Sequence, residues 1–170
     1  MGWQGNPRQW KLQIVAGILL SALILPVFVS VHSIVSWDFG MAVSVKAWHS
    51  TVFAPYFVVG AVHSGVSAVI FVLILLRQAY GWQDYIRREH VEALCRLLIV
   101  VSTGWFYYFV MEIIFGIYGR EADEVAIRTL QFTIYPWNYL MIIFIVTTYF
   151  LPIFLWSRKV WRRNLLIVSI

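Results

Sequence analysis

The sequence predicts an all-α membrane protein, an up-down bundle of four transmembrane helices with both termini in the cytoplasm. Of its 170 residues, 61% are hydrophobic and only 12% are charged, whereas soluble domains carry about 25% charged residues. The mean hydropathy is +0.78, and four apolar segments each exceed the roughly 20 residues that cross a bilayer. This composition excludes a disordered chain, a disulfide-stapled scaffold and a nucleic-acid-binding protein.

The four segments are residues 12–36, 52–76, 94–118 and 132–156, so residues 1–170 are expected to form a single bundle. The first segment is too long for a signal peptide and lacks a small-residue cleavage site, so it is expected to stay in the mature chain. Pro55 and Pro136 suit the first turns of the second and fourth helices. Pro26 and Pro152 lie inside apolar runs and are expected to kink their helices.

Basic residues predict the orientation of the bundle. Nine arginines and lysines lie at the N-terminus, the second loop and the C-terminus, against three in the first and third loops. The positive-inside rule therefore places both termini and the second loop in the cytoplasm. The apolar first loop is expected to lie in the membrane interface or re-enter the protein. The third loop is expected to be solvated, because it carries Arg120, Glu121, Asp123, Glu124 and Arg128.

Glu112 is the clearest candidate for chemistry, because a charged side chain inside a membrane is costly and suggests a function. It lies about 9 Å inside the outer end of the third helix. Ser102, Trp105 and Tyr108 precede it at intervals of three or four residues, so all four share one helical face. Two interpretations remain open: a role in handling protons or facing a quinone, or a protonated acid bonded to a neighbouring helix.

His32 and Asp38 lie at the outer end of the first helix. A histidine both donates and accepts protons near neutral pH, which suits a proton relay. A lone intramembrane histidine also bonds a facing carbonyl in many proteins, and this alternative stays open. Asp38 stands between Trp37 and Phe39, so we expect it to be desolvated.

Other residues limit the cofactors that the chain itself holds. Cys95 is the single cysteine, which excludes an internal disulfide, a cysteine-ligated iron–sulfur cluster and c-type haem. No metal-ligand spacing is present. His32 and His63 differ in predicted depth, so paired ligation of a haem is not favoured. Glu92 and Arg96 form an i,i+4 pair at the start of the third helix.

Several motifs together resemble a known family. They are residues 30–39 (SVHSIVSWDF), 48–57 (WHSTVFAPYF), 60–61 (GA), 89–92 (EHVE), 95–98 (CRLL) and 111–115 (MEIIF). With these motifs the chain resembles the NrfD/PsrC family of quinone-interacting membrane subunits, and within it the ActC and ActF subunits of alternative complex III. Family members contain two four-helix bundles, and this chain resembles the second bundle alone.

The resemblance implies site residues. His32, Asp38 and Glu112 are carried over as candidates for a proton path. Trp48 and His49 are carried over as a contact to quinone or to a partner on the outer face. The residue at position 63 is expected to be apolar in the family, so His63 is not carried over.

The resemblance also implies a function: a multi-pass membrane subunit of a quinol:electron-acceptor oxidoreductase complex in the bacterial inner (cytoplasmic) membrane. Its substrate would be menaquinol or another quinone. Its partners would be a companion first-bundle chain and extracytoplasmic subunits that hold iron–sulfur clusters and haem c. Such a subunit is not expected to be active alone. The alternatives are a non-catalytic anchor of the same complex and a small proton or ion transporter.

Overall fold

The computed structural model describes residues 2–43, 50–164 and 168, and every regular element among them is helical. Four helical spans are long and apolar enough to cross a membrane: Pro7–Gly40, Phe53–Ala79, Arg88–Gly119 and Trp137–Ser157. The chain is therefore a multi-pass membrane protein, and the all-α prediction is confirmed. The up-down order and the cytoplasmic location of the termini remain predictions.

The first helix, α1, spans Pro7–Trp37 and begins five residues before the predicted segment. Asn6 caps it: its side-chain oxygen accepts a hydrogen bond from the N–H of Gln9 over 2.9 Å. The Gln9 side chain in turn accepts one from the N–H of Asn6 over 3.4 Å, which completes a capping box. A short π-helical segment, Asp38–Ala42, continues α1.

The helices α2, Phe53–Ala79, and α3, Arg88–Gly119, make the most extensive contact in the fold. Gly60 lets them approach, because a Cβ at this position would lie 3.4 Å from Nε1 of Trp105. Nearer the other end of this pair, a hydrophobic core is formed by Ile70, Ile74, Val91, Cys95, Leu98 and Val168. The pairing of α2 with α3 therefore fixes the positions of the side chains between them.

The fourth span is broken into two α-helices. The first, α5, spans Trp137–Ile145, and a π-helical segment, Val146–Phe150, separates it from α6, Leu151–Ser157. Pro152 has no N–H to bond the carbonyl four residues earlier, and the π-helical segment ends two residues before it. The α-helix α1 continues through Pro26. The kinks expected at these two prolines stay predictions. A short helix, α7, follows at Lys159–Arg162.

The segment between the third and fourth spans is not the solvated loop that the sequence predicts. It contains a helix, α4, at Ala122–Thr133 that packs against α3. Glu124 is only 7% exposed, and the side chain of Arg128 is only 12% exposed. The expectation was wrong because a high density of charged residues indicated solvation, whereas two of these charges face the protein.

Candidate functional site

One face of α3 carries buried polar side chains. Ser102, Trp105 and Glu112 are 1%, 8% and 5% exposed, and Tyr108 lies half-buried at the edge of the same face. The spacing of three or four residues predicted this shared face. These side chains contact protein neighbours from α2, α4 and α5, so protein rather than lipid surrounds them.

Glu112 pairs with an arginine that lies outside the transmembrane spans. Nη2 of Arg128, on α4, donates a hydrogen bond to Oε1 of Glu112 over 3.4 Å. Nη1 of Arg128 donates to Oε1 of Gln131 over 3.1 Å. Oε2 of Glu112 and Nε of Arg128 are buried without a hydrogen-bond partner. The pair is therefore buried, and one polar atom of each partner is left without a hydrogen bond.

Gly116 allows α4 to reach this pair. A Cβ at Gly116 would lie 3.1 Å from Oε2 of Glu124 and 3.4 Å from Nε of Arg128. The two charged side chains of α4 therefore lie directly on the backbone of α3. Together with Glu112 they place two carboxylates beside one guanidinium in a buried position.

A cavity of about 380 Å³, which we call the His32 cavity, lies between α1, α2 and α3. It is lined by His32, Phe53, Tyr56, Phe57, Gly60, Ala61, Ser64 and Trp105. Apolar and aromatic walls with a few polar groups, in a volume of about 300–1,000 Å³, are typical of small-molecule sites.

The hydrogen bond of His32 defines which ring nitrogen can accept a proton. Nδ1 of His32 lies 2.9 Å from the carbonyl oxygen of Phe28. Because a carbonyl oxygen only accepts hydrogen bonds, Nδ1 carries the proton, and Nε2 of the neutral ring is an acceptor. The partner is a carbonyl of α1 itself and not a carbonyl that faces His32 from another helix, and the bond leaves Nε2 without a partner from Phe28.

Trp105 relates the His32 cavity to the buried ion pair. It lines the cavity, and its ring lies 5.6 Å from that of Tyr56. Glu112 follows Trp105 by seven residues, about 10 Å along α3, and both side chains are buried on the same face. The cavity and the Glu112–Arg128 pair therefore lie along one face of α3, about two helical turns apart.

His63 belongs to the buried polar groups, although the sequence analysis did not carry it over. Its Nε2 lies 2.9 Å from Oγ of Ser102, and its ring stacks on Trp105 with centroids 6.2 Å apart. Partners 39 residues apart could not be matched from helical spacing. His63 also lines a second cavity of about 490 Å³, which we call the Trp156 cavity, together with Ser67, Thr147, Thr148, Pro152 and Trp156.

The structure does not bring all predicted site residues together. His32 lines a cavity and Glu112 is buried in an ion pair, but Asp38 is exposed at the end of α1. The expected desolvation of Asp38 is not seen within the chain, because Trp37 and Phe39 are 46% and 62% exposed and do not cover it. Within the described part of the chain, no hydrogen bond links His32, Asp38 and Glu112 to one another.

The remaining two predicted contacts, Trp48 and His49, lie outside the described residues.

A second buried carboxylate, Glu92, lies near the opposite end of α3 and is 4% exposed. Arg96 donates to it over 2.7 Å, which confirms the predicted i,i+4 pair. Arg163 lies 3.3 Å and Arg162 3.8 Å from the same carboxylate. Helical spacing could not predict these two partners, because they lie about 70 positions further along the chain. They tie α7 and the residue after it to α3.

No protein-family model matches the chain, and no curated protein sequence matches it. The resemblance to the NrfD/PsrC family therefore rests on the sequence motifs alone.

Proposed function

We propose that the chain is a membrane subunit of a bacterial quinol:electron-acceptor oxidoreductase complex resembling alternative complex III. In this proposal the His32 cavity receives the ring of menaquinol or another quinol at the inner membrane. The observation that carries the proposal is that an aromatic cavity containing an acceptor histidine and a buried carboxylate–guanidinium pair lie along one face of α3, about two helical turns apart. A quinol needs an apolar cavity that binds its ring, and it needs nearby groups that accept its protons when it is oxidised.

The lining of the His32 cavity suits a flat aromatic ring. Phe53, Phe57 and Trp105 supply ring faces, and aromatic rings pack favourably with centroids about 4.5–7 Å apart. His32 and Tyr56 supply the polar groups. Gly60 and Ala61 leave room in the wall of α2, since neither has a long side chain.

The residues of the chain would act on protons rather than on electrons. Oxidation of a quinol to a quinone releases two protons and two electrons. Nε2 of His32 is the acceptor for the first proton, since general bases act within hydrogen-bond reach of the proton they remove. Glu112 is the candidate for onward transfer, because it lies on the same buried face of α3 as Trp105, which lines the cavity. Iron–sulfur and haem c centres in extracytoplasmic partner subunits would take the electrons.

The companion bundle that the resemblance implies would cover α1. The most apolar window of the α1 span contains no buried residue. A helix that is apolar on all sides is stable only when lipid or another helix covers it.

The second candidate is a non-catalytic anchor of the same kind of complex. The ion pairs favour this candidate, because Glu112–Arg128 and the arginines around Glu92 each join separate helices. In this candidate the complex has the same partners, the same quinol substrate and the same membrane as in the first proposal. Another subunit would bind the quinol, and this chain would not.

Photoaffinity labelling of the purified native complex with an azido-quinone tests the proposal. We expect covalent label on peptides that contain His32, Tyr56 or Trp105, and we expect excess unlabelled quinone to prevent it. Trp137 and Tyr139 serve as internal controls for labelling from the lipid phase, because they are exposed and line neither cavity. Label confined to another subunit would contradict quinol binding here and would support the anchor.

A further inference from the structure

The Trp156 cavity has an opening toward lipid. It lies between α2, α3 and α6, and most of its lining is apolar. Phe71 and Leu151 line it and are 54% and 41% exposed on the surface of the bundle. A molecule can therefore enter the cavity sideways, from the bilayer, without crossing the protein.

The length and depth of the cavity match one leaflet of a membrane. Thr147 and Trp156 line it nine residues apart, which is about 14 Å along a helix. One leaflet of the hydrocarbon layer is about 15 Å thick. The fourth span ends at Ser157, so Trp156 lies at the level where hydrocarbon gives way to headgroups.

Two buried N–H donors lack an acceptor at this end of the cavity. They are Nε1 of Trp156 and Nε of Arg162. Trp156 lines the cavity, and Arg162 holds to the main chain beside it: Nη1 of Arg162 donates to the carbonyl of Trp156 over 2.9 Å and to that of Ser157 over 3.2 Å. Buried donors are almost always satisfied, so these two indicate a missing acceptor.

The arginines around these donors outnumber the one carboxylate that they share, so this end of the cavity favours a negatively charged ligand. Arg96 and Arg163 contact Glu92 but keep 63% and 55% of their side-chain surface exposed. Arg162 also approaches Glu92, at 3.8 Å, so one carboxylate is shared by three guanidinium groups. Arginine forks bind phosphate oxygens through charge-assisted hydrogen bonds, and basic pockets at the end of transmembrane helices bind anionic headgroups.

We propose that the Trp156 cavity binds an anionic phospholipid, with an acyl chain in the cavity and the phosphate accepting hydrogen bonds from Trp156 Nε1 and Arg162 Nε. The lipid comes from the leaflet at the end of the bundle that carries α7. It fills the gap that the π-helical segment and Pro152 leave between α6 and α2, and it satisfies both orphaned donors. This site is separate from the His32 cavity and does not depend on quinol binding.

Native mass spectrometry of the purified full-length chain tests this proposal with three probes. They are phosphatidylglycerol, phosphatidylcholine with the same acyl chains, and inorganic phosphate. We expect one phosphatidylglycerol to be retained about fivefold more strongly than phosphatidylcholine, since each basic contact adds about a factor of five. Inorganic phosphate should not displace it, because phosphate has no acyl chain to hold.

Four variants locate the site. Trp156→Phe removes the N–H donor and keeps one aromatic ring, Arg162→Gln removes the charged donor, and Ala68→Phe fills the cavity from α2. Trp156→Phe and Arg162→Gln should each lower phosphatidylglycerol retention about fivefold. Ala68→Phe should lower it as well, because its ring takes the space of the acyl chain. The matched control is Arg158→Gln, which removes the same charge from an exposed arginine that stacks on Trp161 at 5.4 Å and does not line the cavity. It should retain lipid like the unaltered chain.

Three results would overturn the proposal: equal retention of the two lipids, displacement by inorganic phosphate, or the same loss in Arg158→Gln as in Trp156→Phe. Trp156→Phe keeps one aromatic ring against the core, so it should still unfold in one cooperative transition in lipid-free detergent. Arg162→Gln changes no core residue, and it tests the same site if Trp156→Phe does not fold.

Discussion

Arg128 of α4 donates a hydrogen bond to Glu112 of α3 across 3.4 Å, and the two residues are separated by 16 positions in the chain. Both side chains are largely buried, at 12% and 6% exposure. This contact holds α4, a segment rich in charged residues, against the C-terminal part of α3. It also places a guanidinium next to the carboxylate that we propose for proton transfer. The same pair therefore joins two helices and holds the proposed proton-transfer group.

Replacing Glu112 with glutamine should destabilise the chain. The variant leaves the buried guanidinium of Arg128 without its counter-charge, and breaking a buried pair on one side costs about 3–5 kcal/mol. We expect a loss of about 3 kcal/mol in unfolding free energy, because the glutamine oxygen still accepts one hydrogen bond. Denaturant titration followed by circular dichroism measures it. The control is Glu121→Gln, at the exposed start of α4, which should change stability by less than about 0.5 kcal/mol.

A methyl group at position 116 should weaken the packing of α4 against α3. In Gly116→Ala the new Cβ would stand 3.1 Å from Oε2 of Glu124, so the α4 side chains must move. We expect faster hydrogen exchange across Ala122–Thr133 and a lower melting temperature. Gly119→Ala is the matched control, because a Cβ there meets nothing within 4 Å. Unchanged exchange in Gly116→Ala would show that α4 does not depend on this close approach.

Neutralising Glu92 should release the end of the chain that follows the fourth span. In Glu92→Gln, Arg162 and Arg163 lose the carboxylate that holds them to α3. Trypsin should then cleave after these arginines faster than in the unaltered protein, and mass spectrometry detects the shortened chain. Glu89→Gln alters an exposed carboxylate one turn earlier and should leave cleavage unchanged. Equal cleavage in both variants would contradict the anchoring role of Glu92.

The predicted orientation can be tested with introduced cysteines, because Cys95 is fully buried and should not react with a water-soluble maleimide. Tyr85 and Tyr135 are 80% and 77% exposed, and they lie in the second loop and before α5. In intact cells a membrane-impermeant maleimide should label Tyr135→Cys but label Tyr85→Cys only after lysis. The reverse pattern would invert the topology that the basic residues predict.

Features that depend only on nearby residues in the chain, such as helix ends and the buried face of a helix, could be predicted from local sequence signals. The start of α1 at Pro7 was missed, yet its signal is present: a capping asparagine, a proline at the first helical position and a glutamine three residues after the cap. Pro152 predicted a kink in the fourth span, and the π-helical segment two residues before it did not follow from the proline alone. The buried face of α3 followed directly from the spacing of Ser102, Trp105 and Glu112.

Contacts between helices could not be predicted in the same way, because helical spacing does not give the register of one helix against another. Ser102 and His63 are 39 positions apart, and Glu92 and Arg163 are 71 apart. The exposure of Arg128 was mispredicted for this reason. Its charge indicated a solvent-exposed side chain, whereas α4 packs on Gly116 and pairs Arg128 with Glu112.

The central claim is that the His32 cavity holds a quinol ring, and quinone-analogue affinity in cavity-filling variants of the purified native complex tests it most directly. Gly60→Leu and Ala61→Phe fill the cavity from α2, and Gly65→Leu is the matched control because a Cβ at Gly65 meets nothing within 4 Å. We predict that both filling variants weaken binding about tenfold or more, with the control unchanged. Ala61→Phe does not rely on the tight Gly60–Trp105 contact, so its result stands if Gly60→Leu unfolds. Equal affinity in Ala61→Phe, Gly65→Leu and the unaltered complex would contradict the claim.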